Sequence, residues 1–299
     1  MNRISIVVGL LWLSVTANFA QLRVVQLDAL GVQGVRPSLS SDGSRLAYVS
    51  DSSELCVVDL ASAKQWVVVR GEDIGSDVVF SDNGEMVAYS SQVYKDRLSY
   101  NSIYATDLQT GRRYSVSSPA RVRYAYRFSG GWLRIGKTET IRRVKLLPHV
   151  ERAKRELLLA VEEDDLVLYD GVSRRVLNPN GKNTYLWARL SPDESKIVYM
   201  AIEDKCHTYV CDLNGKNVVD LGHYIASPCW AGNDLIVGQQ DEDDGHQMTG
   251  SRLVAIRADG SGFQILQTPG YERAVNPTAA GSTVVFENDG QLVKLRLEF

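Results

Sequence analysis

The chain has 299 residues, is 44% hydrophobic and 23% charged, and carries a formal net charge of -3. That is a globular composition, which excludes a disordered chain, a collagen and a coiled coil. A bulk charge this small gives the whole molecule no polyanion-binding character. The first element is the leader MNRISIVVGLLWLSVTANFA. Arg3 is its positive end, Ile4 to Val15 its apolar run, and Ala17 and Ala20 its small residues before cleavage. Twelve residues are too few to span a bilayer comfortably, so residues 1–20 read as a secretory signal peptide. The expected mature chain, 21–299, is then a single periplasmic or secreted domain of a bacterial cell, with no cysteine placed for a lipoprotein anchor.

A repeat runs along the rest of the chain. VRPSLSSDGSRLAYVS starts at Val35, DVVFSDNGEMVAYSS at Asp77 and LWARLSPDESKIVYM at Leu186. Weaker copies start at Tyr126, Ser227 and Asn276. Each is a short strand, a polar turn of Asp, Asn or Gly, and a second strand. Gly and Asn accept positive φ there, and Asp or Ser bonds the local backbone. A further pair of strands follows, as in ELCVVDLASAKQWVVV and SIYATDLQTGRRYSVS. Four short antiparallel strands repeated every 40 to 50 residues predict an all-β fold, a β-propeller.

The step between the copies at 126 and 188 is 62 residues, which reads as an insertion in the third unit. Only 22 residues separate the copy at 126 from a degenerate one at Pro148, too few for four strands. Six four-stranded blades are therefore expected, with seven as the alternative. The last unit supplies three strands, near Pro277, Val284 to Glu287 and Leu292 to Leu297. Arg23 to Leu27 is expected to pair with them and close the ring, which removes a free sheet edge.

The residues Ser41, Asp42, Gly43, Leu46, Ala47 and Tyr48 carry a recognisable pattern, as do Ser81, Asp82, Gly84, Val87, Ala88 and Tyr89. So do Ser191, Pro192, Asp193, Ile197, Val198 and Tyr199. The pattern S-x-D-G-x-x-[LI]-[AV]-Y followed by Y-x-x-D-L-x-T-G resembles the TolB-like, WD40-like propeller repeat. That repeat is related to the propeller domain of dipeptidyl peptidase IV-like proteins. The resemblance covers nearly all of the mature chain, and its motif residues imply architecture and no activity.

Candidate sites are few. The chain has four histidines, no H-E-x-x-H, no G-x-S-x-G elbow and no P-loop. The expected function is therefore non-enzymatic: a protein-binding or assembly module of the cell envelope. The alternative is a funnel-site enzyme or a carbohydrate-binding propeller, metal-dependent or not. From Arg121 to Arg155 there are eleven Lys/Arg against Glu139 and Glu151, a formal +9. Arg121, Arg123, Tyr124, Tyr126, Arg142 and Arg143 are the candidate contacts to an acidic protein or a glycan there; the alternative is that the arginines are the solvent face of strands and pair with acids of neighbouring blades. Nucleic acid is not expected outside the cell. Trp187 and Trp230, in two first strands, either stack on a ligand in the channel or, as is commoner, pack between blades. Asp241, Asp243 and Asp244 lie in an acidic hairpin loop. They are weak Ca²⁺ candidates because the ligand order of a calcium loop is missing; no cofactor is expected. Cys56, Cys206, Cys211 and Cys229 read as buried or half-buried thiols.

Overall fold

The computed structural model describes residues 22–71, 73–151, 155–202 and 206–298. The leader segment 1–20 lies outside the described residues. The described chain forms seven antiparallel sheets and no helix. In chain order, β1 (Arg23–Gln33) is followed by the first sheet, β2 (Val35–Leu39), β3 (Arg45–Val49), β4 (Leu55–Asp59) and β5 (Gln65–Val69). The second is β6 (Asp73–Phe80), β7 (Met86–Lys95), β8 (Leu98–Asp107) and β9 (Arg113–Ser115). The third is β10 (Ala125–Ser129), β11 (Trp132–Lys137) and β12 (Thr140–Lys145). The fourth is β13 (Leu157–Glu162), β14 (Asp165–Asp170) and β15 (Ser173–Val176). The fifth is β16 (Thr184–Leu190), β17 (Lys196–Ile202), β18 (Cys206–Asp212) and β19 (Val219–Asp220). The sixth is β20 (Ala226–Trp230), β21 (Leu235–Asp243), β22 (Met248–Arg257) and β23 (Gln264–Ile265). The seventh is β24 (Ala274–Ala280), β25 (Thr283–Asn288) and β26 (Gln291–Glu298), with β1 as its outer strand.

The innermost strands β2, β6, β10, β13, β16, β20 and β24 each touch the next, and β24 touches β2, so the ring closes. The expected closure is present: Arg23 pairs with Glu298, Leu27 with Leu295 and Ala29 with Val293. Leu22, Val24 and Leu27 pack on the core that Val293, Leu295 and Leu297 share with the sixth sheet. Middle strands have both faces against neighbouring sheets, which is why LAYV, MVAY and IVYM are continuous apolar runs rather than alternating ones.

The blade count is seven, the alternative reading of the sequence, and the expected six is corrected. The 62-residue step is not one enlarged unit. It holds two three-stranded sheets, and three strands need only 21 and 20 residues here, 125–145 and 157–176. The fourth sheet also runs in the opposite sense. The start of β13 lies beside the end of β10, where Ser129 Oγ donates to Arg155 O at 3.0 Å. Its end lies beside the start of β16, where Thr184 Oγ1 donates to Asp164 Oδ1 at 3.4 Å. A reversed unit puts its turn on the other face of the ring, so the repeat motif is absent from it.

The repeat turns show why their residues recur. Ser40 Oγ donates to Asp42 Oδ1 (2.6 Å), Ser44 N donates to the same oxygen (3.0 Å), and Arg45 N donates to Ser40 Oγ (3.0 Å). Gly43 takes φ +70°. Ser81 with Asn83, and Ser191 with Asp193, build the same bonds. The structural serine of the first unit is thus Ser40 rather than Ser41, and the second unit's capping side chain is Asn83 rather than Asp82. Asp82 instead accepts from Gly130 N at 2.7 Å, tying the second sheet to the third.

Candidate functional site

The ring has two faces. One carries the turns just described. The other carries the hairpins that join second to third strands, and it receives the starts of the inner strands. Four inner strands break register there, each around a residue in the left-handed region: Arg36 (φ 57°), Trp187 (50°), Ser227 (47°) and Asn276 (51°). Three of these precede Pro37, Pro228 and Pro277. A bulge leaves a backbone N–H out of the ladder, so proline's missing donor costs nothing at that place. Bulges turn side chains towards the mouth. Asn276 Nδ2 donates to Glu287 Oε2 (3.2 Å), Asn276 N to Gln239 Oε1 (2.5 Å) and Arg36 Nη1 to Ile74 O (2.6 Å). Gln239 Nε2 and Ser251 Oγ donate to Asp241 Oδ1 at 2.7 and 2.9 Å. This network locks the sixth, seventh, first and second sheets at the mouth.

A long feature of this face is the β7–β8 hairpin, with ten residues in each strand. Val93 and Tyr94 near its tip are 60% and 68% exposed. Its two-residue turn, Asp96 and Arg97, has φ 51° and 64°, the mirror-image turn that matches strand twist. The segment leading into β10 lies alongside: Asn101 bridges Ala120, and Asn101 Nδ2 donates to Val122 O at 3.1 Å.

The candidate residues separate on this frame. Arg121 and Arg123 are exposed on the segment beside the hairpin, and Arg123 pairs with Asp77 at 3.3 Å. Tyr124 is half-buried there and donates to Ser118 O at 2.8 Å. Tyr126 is not a surface residue. It is buried, its hydroxyl donates to Asp77 O and accepts from Ser90 N (3.0 Å), and burial pushes its pKa far up. Arg142 and Arg143 are neighbours on β12, so they point to opposite faces of the third sheet. Arg142 pairs across the ladder with Ile135 on the side of the second sheet, and Arg143 bonds Glu156 at 2.8 Å on the side of the fourth. The basic segment is therefore not one patch. Trp187 is 38% exposed at its bulge, whereas Trp230 is buried and donates to Arg189 O at 3.1 Å.

The acidic loop is a self-capped turn: Asp243 accepts from Gly245 N, and Asp244 from His246 N and Gln247 N, each at 2.9 Å. Those backbone bonds hold Asp244 below the usual carboxylate pKa. Among the described residues no group of three His, Cys, Asp or Glu is placed to hold a metal ion. The four cysteines are unpaired thiols, with Cys206 half-buried and the others buried.

Two features carry no sequence motif. Val93 and Tyr94 belong to an ordinary strand pattern, and the only signal is the unusual length of alternation around KDR. The second is a row of arginines. Arg127, Arg134 and Arg143 are directly paired across β10, β11 and β12 and face the fourth sheet. Arg127 bonds Glu194 at 2.7 Å and Arg143 bonds Glu156. Arg134 between them is fully buried, donates from Nη2 to Gly171 O, and has no partner for Nε or Nη1.

Among solved structures, TolB from Acinetobacter baumannii is similar, with a TM-score of 0.57 and 16% identity over 85% of this chain and 57% of that one. This chain thus spans just over half the length of that TolB. A chain of a mitotic checkpoint complex gives 0.62 with 12% identity, covering 99% and 98%. Oligogalacturonate lyase from Vibrio parahaemolyticus gives 0.51 with 11% identity, covering 86% and 76%. No family model matches the sequence, and no curated protein matches it either. At these identities the likeness is one of fold: the chain is a β-propeller.

Proposed function

We propose that the protein is a non-enzymatic binding module of a bacterial envelope, and that it docks a protein partner on its hairpin face. The observation that carries this reading is where exposed apolar side chains fall. Thirteen large apolar residues among those described are 37% exposed or more, and seven of them, Val93, Tyr94, Val161, Trp187, Ile202, Tyr224 and Met248, lie on that one face. The turn face holds two such residues, Val172 and Val218, and the outer strands hold Val25, Val67, Val176 and Ile265. Apolar side chains gathered on one face of a rigid scaffold mark an interaction surface. Arg121, Arg123 and Tyr124 border the hairpin, which supplies cationic and aromatic contacts of the kind that dominate protein interfaces. The envelope setting rests on the leader pattern of residues 1–20 and on the likeness to TolB.

The test is a quantitative pull-down from envelope extract with the wild-type protein and the variant V93S/Y94S. Capture of a specific partner should fall at least tenfold in the variant, and V172S on the turn face should leave it unchanged. Equal loss in both variants would refute the assignment of the face. A second reading, a ligand in the channel, is favoured by Trp187, a bulky residue held in the left-handed region at the mouth, and by the likeness to oligogalacturonate lyase. Stacking of a uronic-acid oligosaccharide would quench its fluorescence, and W187F would remove the response.

A further inference from the structure

The hairpin face is also polarised. In the second sheet and the segment after it, Lys95, Arg97, Arg121 and Arg123 stand against Asp73, Asp77 and Asp96 on this face, a net +1. In the sixth sheet, Asp241, Glu242, Asp243 and Asp244 stand against Arg252, a net -3. The side chains of Lys95, Arg97, Asp243 and Asp244 are exposed. The second and sixth sheets are separated by three sheets on one side of the ring and two on the other. They therefore lie across the channel from each other, with the apolar residues of the fourth, fifth and sixth sheets between and beside them.

We propose that the occupant of this face is a second copy of the chain, docked face to face about a two-fold axis. This rests on the docking reading above and names its partner. A ring of seven permits one arrangement that matches the charges. An axis lying between the copies and passing over the fourth sheet exchanges second with sixth and third with fifth, and sets the fourth against itself. The basic hairpin of each copy then meets the acidic hairpin of the other, twice per dimer. Val161 of the fourth sheet, 40% exposed, lies on the axis. Trp187 and Ile202 of the fifth sheet meet the third sheet, where Lys137 is exposed. A two-fold contact is isologous: one surface must be complementary to itself under that rotation. Charges of opposite sign at exchanged positions satisfy this, and like charges would oppose it.

The design gives a sharp test. K95E/R97E makes both hairpins acidic, and E242K/D243K makes both basic. Molar mass is measured by light scattering and sedimentation at low and high salt, with circular dichroism as the check on folding. The wild-type protein should be a dimer at micromolar concentration and lose affinity at least tenfold between about 50 and 500 mM salt, as screening shortens the reach of charge. Each variant alone should be a monomer, and an equimolar mixture should recover the dimer mass. A wild type that stays monomeric at high protein concentration and low salt overturns the proposal, as does a folded variant that still dimerises or a mixture that stays monomeric. In those cases a partner captured through Val93 and Tyr94 would leave the docking face standing with a different occupant. Loss of that capture as well would remove the face itself.

Discussion

Replacing Arg134 by methionine should stabilise the protein. The guanidinium is fully buried, and its charge faces Arg127 and Arg143 directly across the ladder. Burial is the largest influence on it and lowers its pKa; the neighbouring Glu156 raises it, and Arg143 lowers it again. Arginine stays charged in spite of this. Its one hydrogen bond, to Gly171 O, contributes about 1.5–3 kcal/mol as a charged donor. Against that, two buried nitrogens without partners cost about 1–3 kcal/mol each, while repulsion from Arg143 and Arg127 is offset by attraction to Glu156 and Asp170. Methionine keeps most of the length and is flexible enough to fill the space. The balance favours the variant by about 1–2 kcal/mol, in line with replacements of buried ionic groups by apolar ones. At this chain length that raises Tm by roughly 2–5 °C. The assay is thermal unfolding by circular dichroism or calorimetry. R134A is the control, since a cavity there should lower Tm. If R134M lowers Tm by as much as R134A, the guanidinium has partners in solution and the reasoning about unpartnered nitrogens is wrong.

Further outcomes follow from other parts of the structure. Deleting residues 22–30 removes the outer strand of the seventh sheet and uncovers Leu295 and Leu297; Tm should fall by more than about 5 °C, and an unchanged Tm would contradict ring closure. Burial pushes the thiols of Cys211 and Cys229 up to about 12, so a thiol reagent at mildly alkaline pH should label them only after denaturation, with Cys206 the first to react in the native protein. Burial raises the Asp42 and Asp193 carboxyls, but bonds from Ser40, Ser44, Ser191 and Ser195 outweigh it and hold them below 3.8. Groups depressed in the folded state stabilise it above the unfolded pKa, about 3.9, and that contribution is lost as pH falls through their folded values. The acid limb of stability should therefore shrink in D42N/D193N, read from Tm between about pH 5 and 2.5. Ca²⁺ at millimolar concentration should leave Tm unchanged, because Asp243 and Asp244 commit oxygens to their own turn; a rise that D243A abolishes would assign a calcium site.

The propeller was legible because its motif residues act locally. Ser40, Asp42 and Gly43 close a turn with their own side chains, and a local device leaves a local trace in sequence. Ring closure was legible for a related reason: three strands at one end and one at the other leave a single way to complete a sheet. The seventh blade was hidden because the fourth sheet is reversed and both middle sheets have three strands, so neither the turn motif nor the repeat length survives. The arginine row was hidden in another way. Arg127 and Arg134 are symmetric about the Gly130–Gly131 turn, and Arg134 and Arg143 about Thr138–Glu139, so their pairing appears only once the hairpin registers are known. Charge alone grouped Arg142 with Arg143, whereas strand alternation sends them to different neighbours. Tyr126 is a candidate surface contact in sequence, and Trp230 could either line the channel or pack between blades. Their bonds to Asp77 O and Arg189 O show that burial with one satisfied polar atom is what the fold demands of them.

The most direct test of the docking face is site-specific photocrosslinking in the intact envelope. A photoreactive amino acid is placed at Tyr94 on the hairpin face or at Val172 on the turn face, both fully folded positions of high exposure. The docking reading predicts a discrete crosslinked protein product from position 94 and none from position 172. Products from position 172 alone, or from neither position, would contradict it.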